Sequence, residues 1–328
     1  MANIMINEAC NQHCSYCFAS EFVNVNNKNI TPENFKKAVS FILSEIDSKR
    51  KGRIGIIGGE PLLHPNFDEF IHYLTQNEDV EKITVYTNGV LVKDHLTTFL
   101  DDKVGALINI NSIKDVGESN FRKTEEAIDL LINHYNKRDK ITIGLNIYDN
   151  IDYSFFINLA EKYRQTRVRL SIVVPSYGQE SRGLPHFLSL KSTVLKIAKS
   201  LLLRDIRFRF DCNLPVKCIW TEEELENMSL MGLSSQTRDL ISLVHAPCAP
   251  VIDILQDLNA IRCFGLSKVS KVSINNFNSI KELRDYYIEN YDIPFLNKTI
   301  DSKCNECALH LKQCYGGCLA NRVDVIAD

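Results

Sequence analysis

The sequence predicts an α/β protein: a partial (β/α)6 barrel of parallel strands, followed by a small cysteine-rich domain. Short β-rich runs alternate with longer amphipathic segments over roughly the first 200 residues, which is the pattern of repeated strand–helix units. The eleven cysteines form two groups, three at positions 10–17 and eight at positions 212–318. We therefore expect a barrel domain at residues 1–203 and a second domain at residues 204–328.

Each predicted element has its own signal. A β-rich run at residues 2–7 leads into the first cysteine group. Thr31, Pro32 and Glu33 supply an N-cap, a first-turn proline and an acidic first turn, so a helix begins there and extends to about Lys49. Further strands are predicted at residues 53–57, 82–87, 104–111, 140–148 and 167–174. Further helices are predicted at residues 66–76, 92–100, 121–137, 151–163 and 191–203.

Polar residues on the predicted strands favour a curled sheet over a flat one. They share a strand face in three places: Asn109 with Asn111, Thr142 with Gly144 and Asn146, and Arg169 with Ser171. In a parallel sheet covered on both faces these positions would be apolar. The alternative is that they cap turns at strand ends. We expect the functional edge at the carboxyl ends of the strands, where the first cysteine group begins.

Composition and charge exclude several classes of function. The chain has 38 Lys and Arg against 41 Asp and Glu, a net charge of −3, so it has no basic field for nucleic acid or an anionic membrane. It has no apolar run near the roughly 18 residues of a membrane span, and no export signal at its start. The expected compartment is cytoplasmic. There, eleven cysteines indicate metal ligation rather than disulfides.

The first cysteine group has the spacing of an iron–sulfur site with an open iron. Cys10, Cys14 and Cys17 place three thiols in one loop after a strand, enough for three corners of a cubane cluster. A fourth iron without a protein ligand is free to bind a small molecule, as vacant positions do in catalytic metal sites. The alternative is a zinc site completed by His13, which would require one short loop to close around the metal.

Two motifs together resemble the radical S-adenosylmethionine (SAM) enzyme family. One is Cys-x3-Cys-x2-Cys with Tyr16 before the last cysteine, and the other is Gly58-Gly59-Glu60-Pro61 after the second strand. The resemblance implies a TIM-like partial barrel and a [4Fe–4S] cluster that binds the methionine part of SAM. It also implies one-electron cleavage to a 5′-deoxyadenosyl radical that abstracts a substrate hydrogen, with a flavodoxin- or ferredoxin-type reductant.

The same resemblance implies a set of cofactor-binding residues. Tyr16 would pack near the adenine, and Gly58 and Gly59 would let the backbone approach the methionine ammonium. Glu60 would order that turn or accept from the ammonium. Arg122 would reach the methionine carboxylate, or else is a solvated arginine at a helix start. The remaining residues lie at or near the ends of later strands: Asn88, Asn109, Asn111, Asn146 and Ser171.

The second cysteine group resembles the SPASM extension, which carries one or two auxiliary iron–sulfur clusters. Cys248 and Cys263 flank two short runs, residues 251–254 and 259–262, that can pair as a hairpin. Leu258 stands where the extension usually has glycine, and its usual last cysteine does not follow Cys318.

By this resemblance, two clusters would divide the eight thiols. One would take Cys248, Cys263 and Cys318, and the other Cys304, Cys307 and Cys314. Cys212 and Cys218 would complete them, in either order. The alternative is a zinc knuckle built from the four last cysteines, which leaves four others unexplained.

The SPASM resemblance implies a peptide-modifying oxidoreductase that oxidises or crosslinks a ribosomal peptide (RiPP-type maturation). The barrel begins at Met1, leaving no N-terminal leader-binding module, so we expect a separate leader-peptide-binding protein. A small molecule that undergoes radical SAM oxidation or dehydrogenation is the alternative substrate. A non-catalytic iron–sulfur electron carrier or a zinc scaffold is the alternative from another class.

Overall fold

The computed structural model describes residues 2–17, 19–45, 51–164, 167–174, 184–210, 216–221, 223–224, 248, 250–312 and 314–325. The strands in these ranges are β1 (Ala2–Met5), β2 (Gly52–Ile57), β3 (Val80–Thr87), β4 (Val104–Asn109), β5 (Ile141–Ile147), β6 (Arg167–Ile172), β7 (Phe208–Phe210), β8 (Ile252–Ile254), β9 (Asn259–Ile261) and β10 (Val272–Ser273). The helices are α1 (Pro32–Ile42), α2 (Phe67–Thr75), α3 (Leu96–Phe99), α4 (Ile113–Val116), α5 (Glu118–Asp129), α6 (Ser154–Lys162), α7 (Leu184–Leu202), α8 (Ser267–Ser270), α9 (Ile280–Tyr287) and α10 (Ile293–Leu296). The alternation of strand and helix confirms the predicted α/β fold, a partial TIM-like barrel.

The first of two compact units comprises Met1–Thr142 and Pro250–Tyr291. Its strands lie in the order β10-β9-β8-β1-β2-β3-β4, with β1 to β4 parallel and β8 parallel to β1. The hairpin predicted from residues 251–254 and 259–262 is confirmed, because β8 and β9 pair antiparallel. From sequence we predict this hairpin in the second domain, whereas in the structure it extends the sheet at β1.

The second unit comprises Ile143–Ala249 and Asp292–Asp328. Its described residues include most of β5. Across the sheet, β5 is followed by β6 and then by β7, and β6 and β7 are parallel. β7 is a strand that the sequence did not predict, because three residues are too few to show alternation. α7 begins at Leu184, earlier than the predicted residue 191, and Pro185 in its first turn suits a helix start.

The predicted helix start at Thr31 is confirmed, whereas its predicted end is wrong. Thr31 Oγ1 accepts from the Asn34 N–H at 3.2 Å, and Pro32 opens α1. The helix ends at Ile42 instead of near Lys49, because the chain turns at Ser44, whose hydroxyl donates back to a helix carbonyl at 2.7 Å. No helix in the described ranges combines the length and apolar character that a membrane crossing requires.

A hydrophobic layer supports the carboxyl end of the first unit's sheet. The buried side chains of Met5, Ile57, Leu255 and Ile261 form it, and half-buried aromatic residues pack against it. Met5 and Ile57 are the last residues of β1 and β2, so the loops that follow these two strands start from a rigid base.

Candidate functional site

The first cysteine group lies in the loop after β1, at the carboxyl end of the parallel sheet. The Cys10 N–H donates to Asn24 Oδ1 at 2.8 Å, and the Gln12 N–H donates to Cys10 Sγ at 3.4 Å. The Cys17 N–H donates to Cys14 O at 3.1 Å. Asn24 has a φ of 57°, a left-handed conformation that asparagine tolerates better than most residues. One ordered loop therefore carries three half-buried thiols.

The Gly58-Gly59 turn after β2 packs on the backbone that precedes the first cysteine. The Gly59 N–H donates to Asn7 O at 3.0 Å, and the Glu60 N–H donates to Ala9 O at 2.8 Å. A Cβ on Gly59 would stand 2.4 Å from Ala9 O, and one on Gly58 would stand 2.0 Å from Asn7 Oδ1. The space that these glycines leave is filled by Asn7, Glu8 and Ala9, the residues that lead into the cysteine loop. Their contact with a cofactor ammonium stays a prediction.

The Glu60 carboxylate joins the loops after β2 and β3. Its Oε1 accepts from Thr87 Oγ1 at 2.7 Å and from the Leu62 N–H at 3.2 Å, and its Oε2 accepts from the Asn88 N–H at 2.8 Å. Burial raises the pKa of Glu60 to about 7, and the three donors oppose that rise. Asn88 Nδ2 donates in turn to Asn11 Oδ1 at 2.7 Å, within the cysteine loop. Glu60 is expected either to order the glycine turn or to accept from the cofactor ammonium. These contacts fit the first of these roles.

Asn111, just beyond β4, also contacts the cysteine loop. Its Oδ1 accepts from the Tyr16 hydroxyl. Its Nδ2 donates to Gln12 Oε1 at 3.1 Å and to Cys14 Sγ at 3.4 Å. Side chains that follow β3 and β4 therefore converge on the loop that follows β1.

The thiols of this loop fit an iron–sulfur cluster. Burial raises the pKa of Cys10 to about 12 and also raises the pKa values of Cys14 and Cys17, so the metal-free thiols hold their protons at neutral pH and release them when iron binds. N–H groups already point at two of the sulfur atoms, as they do around cluster thiolates. Within the described ranges, no three His, Cys, Asp or Glu side chains are gathered tightly enough for one metal ion. A cubane takes each thiolate at a separate iron, so its ligands need not converge on one point.

The other predicted cofactor residues have separate locations. Asn109 ends β4 and is half-buried. Arg122 lies on α5 with 70% of its side chain exposed and forms an ion pair with Glu118. In the second unit, Asn146 Oδ1 accepts from Arg169 at 3.0 Å, and β6 carries the buried Ser171. Contact of these four predicted residues with a cofactor stays a prediction.

The second unit holds a second group of thiols. Cys304 lies in a 3₁₀ turn, Ser302–Glu306, that Asp301 caps, and Cys307 directly follows that turn. The chain returns through Cys314, whose N–H donates to Leu309 O at 2.9 Å.

Cys218 joins this group from a distant part of the chain. Burial raises its pKa, and charge on Cys314, Cys304 and Cys307 raises it further, so Cys218 lies within electrostatic range of these three thiols. Cys212, the other predicted upstream ligand, lies outside the described residues. Cys248 and the buried Cys318 also belong to the second unit, whereas Cys263 follows β9 in the first.

Sequence reasoning missed three residues that build the first site. Gln12 and Asn24 hold the cysteine loop, and Thr87 holds Glu60. Thr87 carried a usable signal, since it precedes Asn88-Gly89 at a strand end. Gln12 and Asn24 carried none, because their partners are set by how the loop folds.

The chain is similar to one family model and to a set of curated proteins. Residues 4–162 match the model of the Radical SAM superfamily. The chain is 28% identical over 187 residues to a GTP 3',8-cyclase of Staphylococcus saprophyticus. This match covers 56% of this chain and 48% of the relative. The chain thus spans about half the length of the curated relatives it matches.

Solved structures also share the fold over nearly the whole chain, among them the two that follow. Streptococcus suis SuiB bound to its precursor peptide SuiA matches with a TM-score of 0.62 at 16% identity, covering 98% of this chain and 72% of SuiB. Native anSMEcpe with bound AdoMet and the Cp18Cys peptide matches with a TM-score of 0.66 at 17% identity, covering 97% of this chain and 88% of anSMEcpe. At these identities the likeness is one of fold.

Proposed function

We propose that this chain, whose residues 4–162 match the model of the Radical SAM superfamily, cleaves SAM reductively to abstract a hydrogen atom from a peptide. One observation carries the proposal: Cys10, Cys14 and Cys17 share one ordered loop that the side chains of Asn88 and Asn111, which follow β3 and β4, hold in place. Three thiol ligands leave a fourth iron for SAM.

In this proposal the chain's own residues bind, orient and shield. The chemistry that a bound [4Fe–4S] cluster supplies is one electron to SAM, which yields methionine and a 5′-deoxyadenosyl radical that takes a substrate hydrogen. Cys10, Cys14 and Cys17 would hold that cluster. Glu60 keeps the loops after β2 and β3 in fixed positions beside it, and the Tyr16–Asn111 bond orients the aromatic ring proposed to pack on adenine.

A peptide is the substrate class that we propose, with oxidation or crosslinking as the outcome. The support is that the two fold relatives were each crystallised with a peptide and match 97–98% of this chain, including its cysteine-rich half. A separate leader-binding protein and a flavodoxin- or ferredoxin-type reductant belong to the same proposal.

We also propose that the C-terminal half is a SPASM-type region with auxiliary clusters. Cys218, Cys304, Cys307 and Cys314 would ligate one of them, since these thiols lie within electrostatic range and four thiolates fully ligate a cubane. The assignment of Cys248, Cys263 and Cys318 to another cluster, with Cys212 as the remaining thiol, follows the family resemblance.

A small molecule is the second candidate substrate. It is favoured by the curated relatives, whose name specifies GTP, although the match covers 48% of the relative. The two candidates predict hydrogen abstraction from different molecules.

SAM cleavage is tested first. Anaerobically purified chain should contain about eight to twelve irons and should release 5′-deoxyadenosine from SAM with dithionite. Cys14→Ala should abolish this product while retaining auxiliary iron. His13→Ala is the matched control: it should remain active, whereas loss of metal in this variant would favour the zinc site. Cleavage that persists in Cys14→Ala would contradict the proposal.

The substrate is tested by isotope transfer. The test peptides would contain cysteine or aromatic residues with deuterium on the side chain and on the α-carbon. We expect this deuterium to appear in 5′-deoxyadenosine. Transfer from deuterated GTP instead would establish the second candidate.

A further inference from the structure

Arg322 is a buried cation without a carboxylate partner among the described residues of the second unit. Its side chain is fully buried, and the ion pairs in that part of the chain do not include it. Its Nη1 donates to Phe295 O at 3.0 Å, and its Nη2 donates to Tyr315 O. Its Nε is buried and has no hydrogen-bond partner among the residues that the structure describes. A guanidinium stays charged at physiological pH, so burying this one without a counter-charge is unfavourable.

The loop from Cys314 to Cys318 closes directly over this guanidinium. Tyr315, whose carbonyl accepts from Arg322, is the residue after Cys314. Gly316 follows with a φ of 69°, and a Cβ there would stand 2.0 Å from Arg322 Nη2. Both the backbone conformation and the approach of the cation therefore favour glycine at this position.

The ionisable groups whose charge would act on Arg322 are cysteines. Burial lowers the pKa of Arg322, and charge on Cys318, Cys304, Cys314 and Cys248 acts in the opposite direction. Thiolates that ligate a metal are anionic, so a cluster held by these cysteines would supply the missing counter-charge.

We propose that Arg322 is the buried counter-charge of the auxiliary iron–sulfur site formed by the C-terminal cysteines and that it raises the reduction potential of that site. The inference rests on the auxiliary clusters of the proposed function. A thiolate-bound cluster becomes more negative when it gains an electron, so a fixed cation beside it favours the reduced form. Arg322 is thus a positioning and charge-compensating residue rather than a ligand.

The test uses the full chain carrying Cys14→Ala, so that the auxiliary signals are observed alone. In this background we would compare Arg322→Met, which removes the charge at similar length, with Arg322→Lys, which keeps it. Arg204→Met is the matched control, because it removes a half-exposed arginine of the same unit. Iron per chain and the midpoint potential from an EPR-monitored titration are the readouts.

We expect Arg322→Met to make reduction at least about tenfold less favourable, a shift of about 59 mV for one electron. Arg322→Lys should stay close to the parent, as should the control. A second outcome also supports the inference: Arg322→Met loses auxiliary iron, whereas Arg322→Lys retains the iron at the parent potential. In that case the auxiliary site needs a positive charge at position 322. An unchanged potential in Arg322→Met, or equal loss of iron in both variants, would overturn the inference. A parent without auxiliary iron would instead refute the proposed auxiliary clusters themselves.

Discussion

Asn111 Nδ2 lies 3.4 Å from Cys14 Sγ, and the same amide nitrogen donates to Gln12 Oε1 at 3.1 Å. Asn111, which lies beyond β4, thus contacts Cys14, a proposed iron ligand in the loop after β1. We expect Asn111 to stabilise the reduced cluster, because N–H donors to ligand sulfur offset its added negative charge.

Asn111→Leu should therefore lower the reduction potential of the N-terminal cluster. The decrease in potential should correspond to about 1 kcal/mol in the free energy of reduction, because this is the usual net value of one hydrogen bond. An EPR-monitored titration without SAM measures it and separates this effect from cofactor binding. Asn133→Leu, on an exposed helical turn, is the control. Equal potentials in the two variants would show that the Asn111 contact does not act on the cluster.

Cys218→Ala should remove about four irons per chain, one cubane, and leave SAM cleavage intact. The matched comparison is His310→Ala. His310 lies between Cys307 and Cys314, and its buried Nε2 has no hydrogen-bond partner in the described part of the chain. Iron analysis distinguishes the two: loss of a cluster in His310→Ala but not in Cys218→Ala would make histidine the fourth ligand.

Leu258, in the turn between β8 and β9, has a φ of 61° and is 6% exposed. A left-handed conformation costs a side chain about 1–2 kcal/mol, whereas loss of a buried leucine costs about 2–5 kcal/mol. We expect thermal unfolding midpoints in the order wild type, Leu258→Gly, Leu258→Ala. Ala260→Gly in β9 is the control, since glycine there should only destabilise. An alanine variant more stable than the glycine variant would contradict the strained conformation.

Asp253 on β8 gives a pH dependence of known sign. It is buried, accepts from Asn3 Nδ2 at 2.7 Å, and faces the charge of Arg262; burial raises its pKa to about 7. The folded state therefore holds a proton that the unfolded state releases near pH 4, so Asp253 contributes less stability as pH rises from about 4 to about 7. The slope is at most about 1.4 kcal/mol per pH unit.

Asp253→Asn should lose this dependence, because an amide does not titrate in that range. Unfolding free energies of wild type and variant between pH 5 and 8 measure the difference, in which other titrating groups cancel. A difference that stays constant with pH would show that Asp253 titrates normally.

The elements with local signals were predictable from the sequence. The cap at Thr31, the hairpin around Leu258 and the alternation that predicts the barrel depend on neighbouring residues, and each is present in the structure. The pairing of β8 with β1 joins residues about 250 positions apart, so no window of sequence could show it.

The candidate site divides in the same way. Its cysteines and glycines were predictable because their spacing along the chain is itself the signal. The partners of Glu60 and Asn111 depend on which strand ends and loops meet after folding. The same is true of Cys218, which comes within electrostatic range of Cys304. The burial of Arg322 could not be predicted, because nothing in its local sequence distinguishes a buried arginine from a surface one.

The most direct test of the open iron at Cys10, Cys14 and Cys17 is an ENDOR measurement. The anaerobic, reduced protein would be frozen with SAM carrying ¹⁵N in its amino group and ¹⁷O in its carboxylate. We predict hyperfine coupling of both labels to the reduced cluster. Absence of coupling from a fully loaded N-terminal cluster, together with no 5′-deoxyadenosine on warming, would contradict the account.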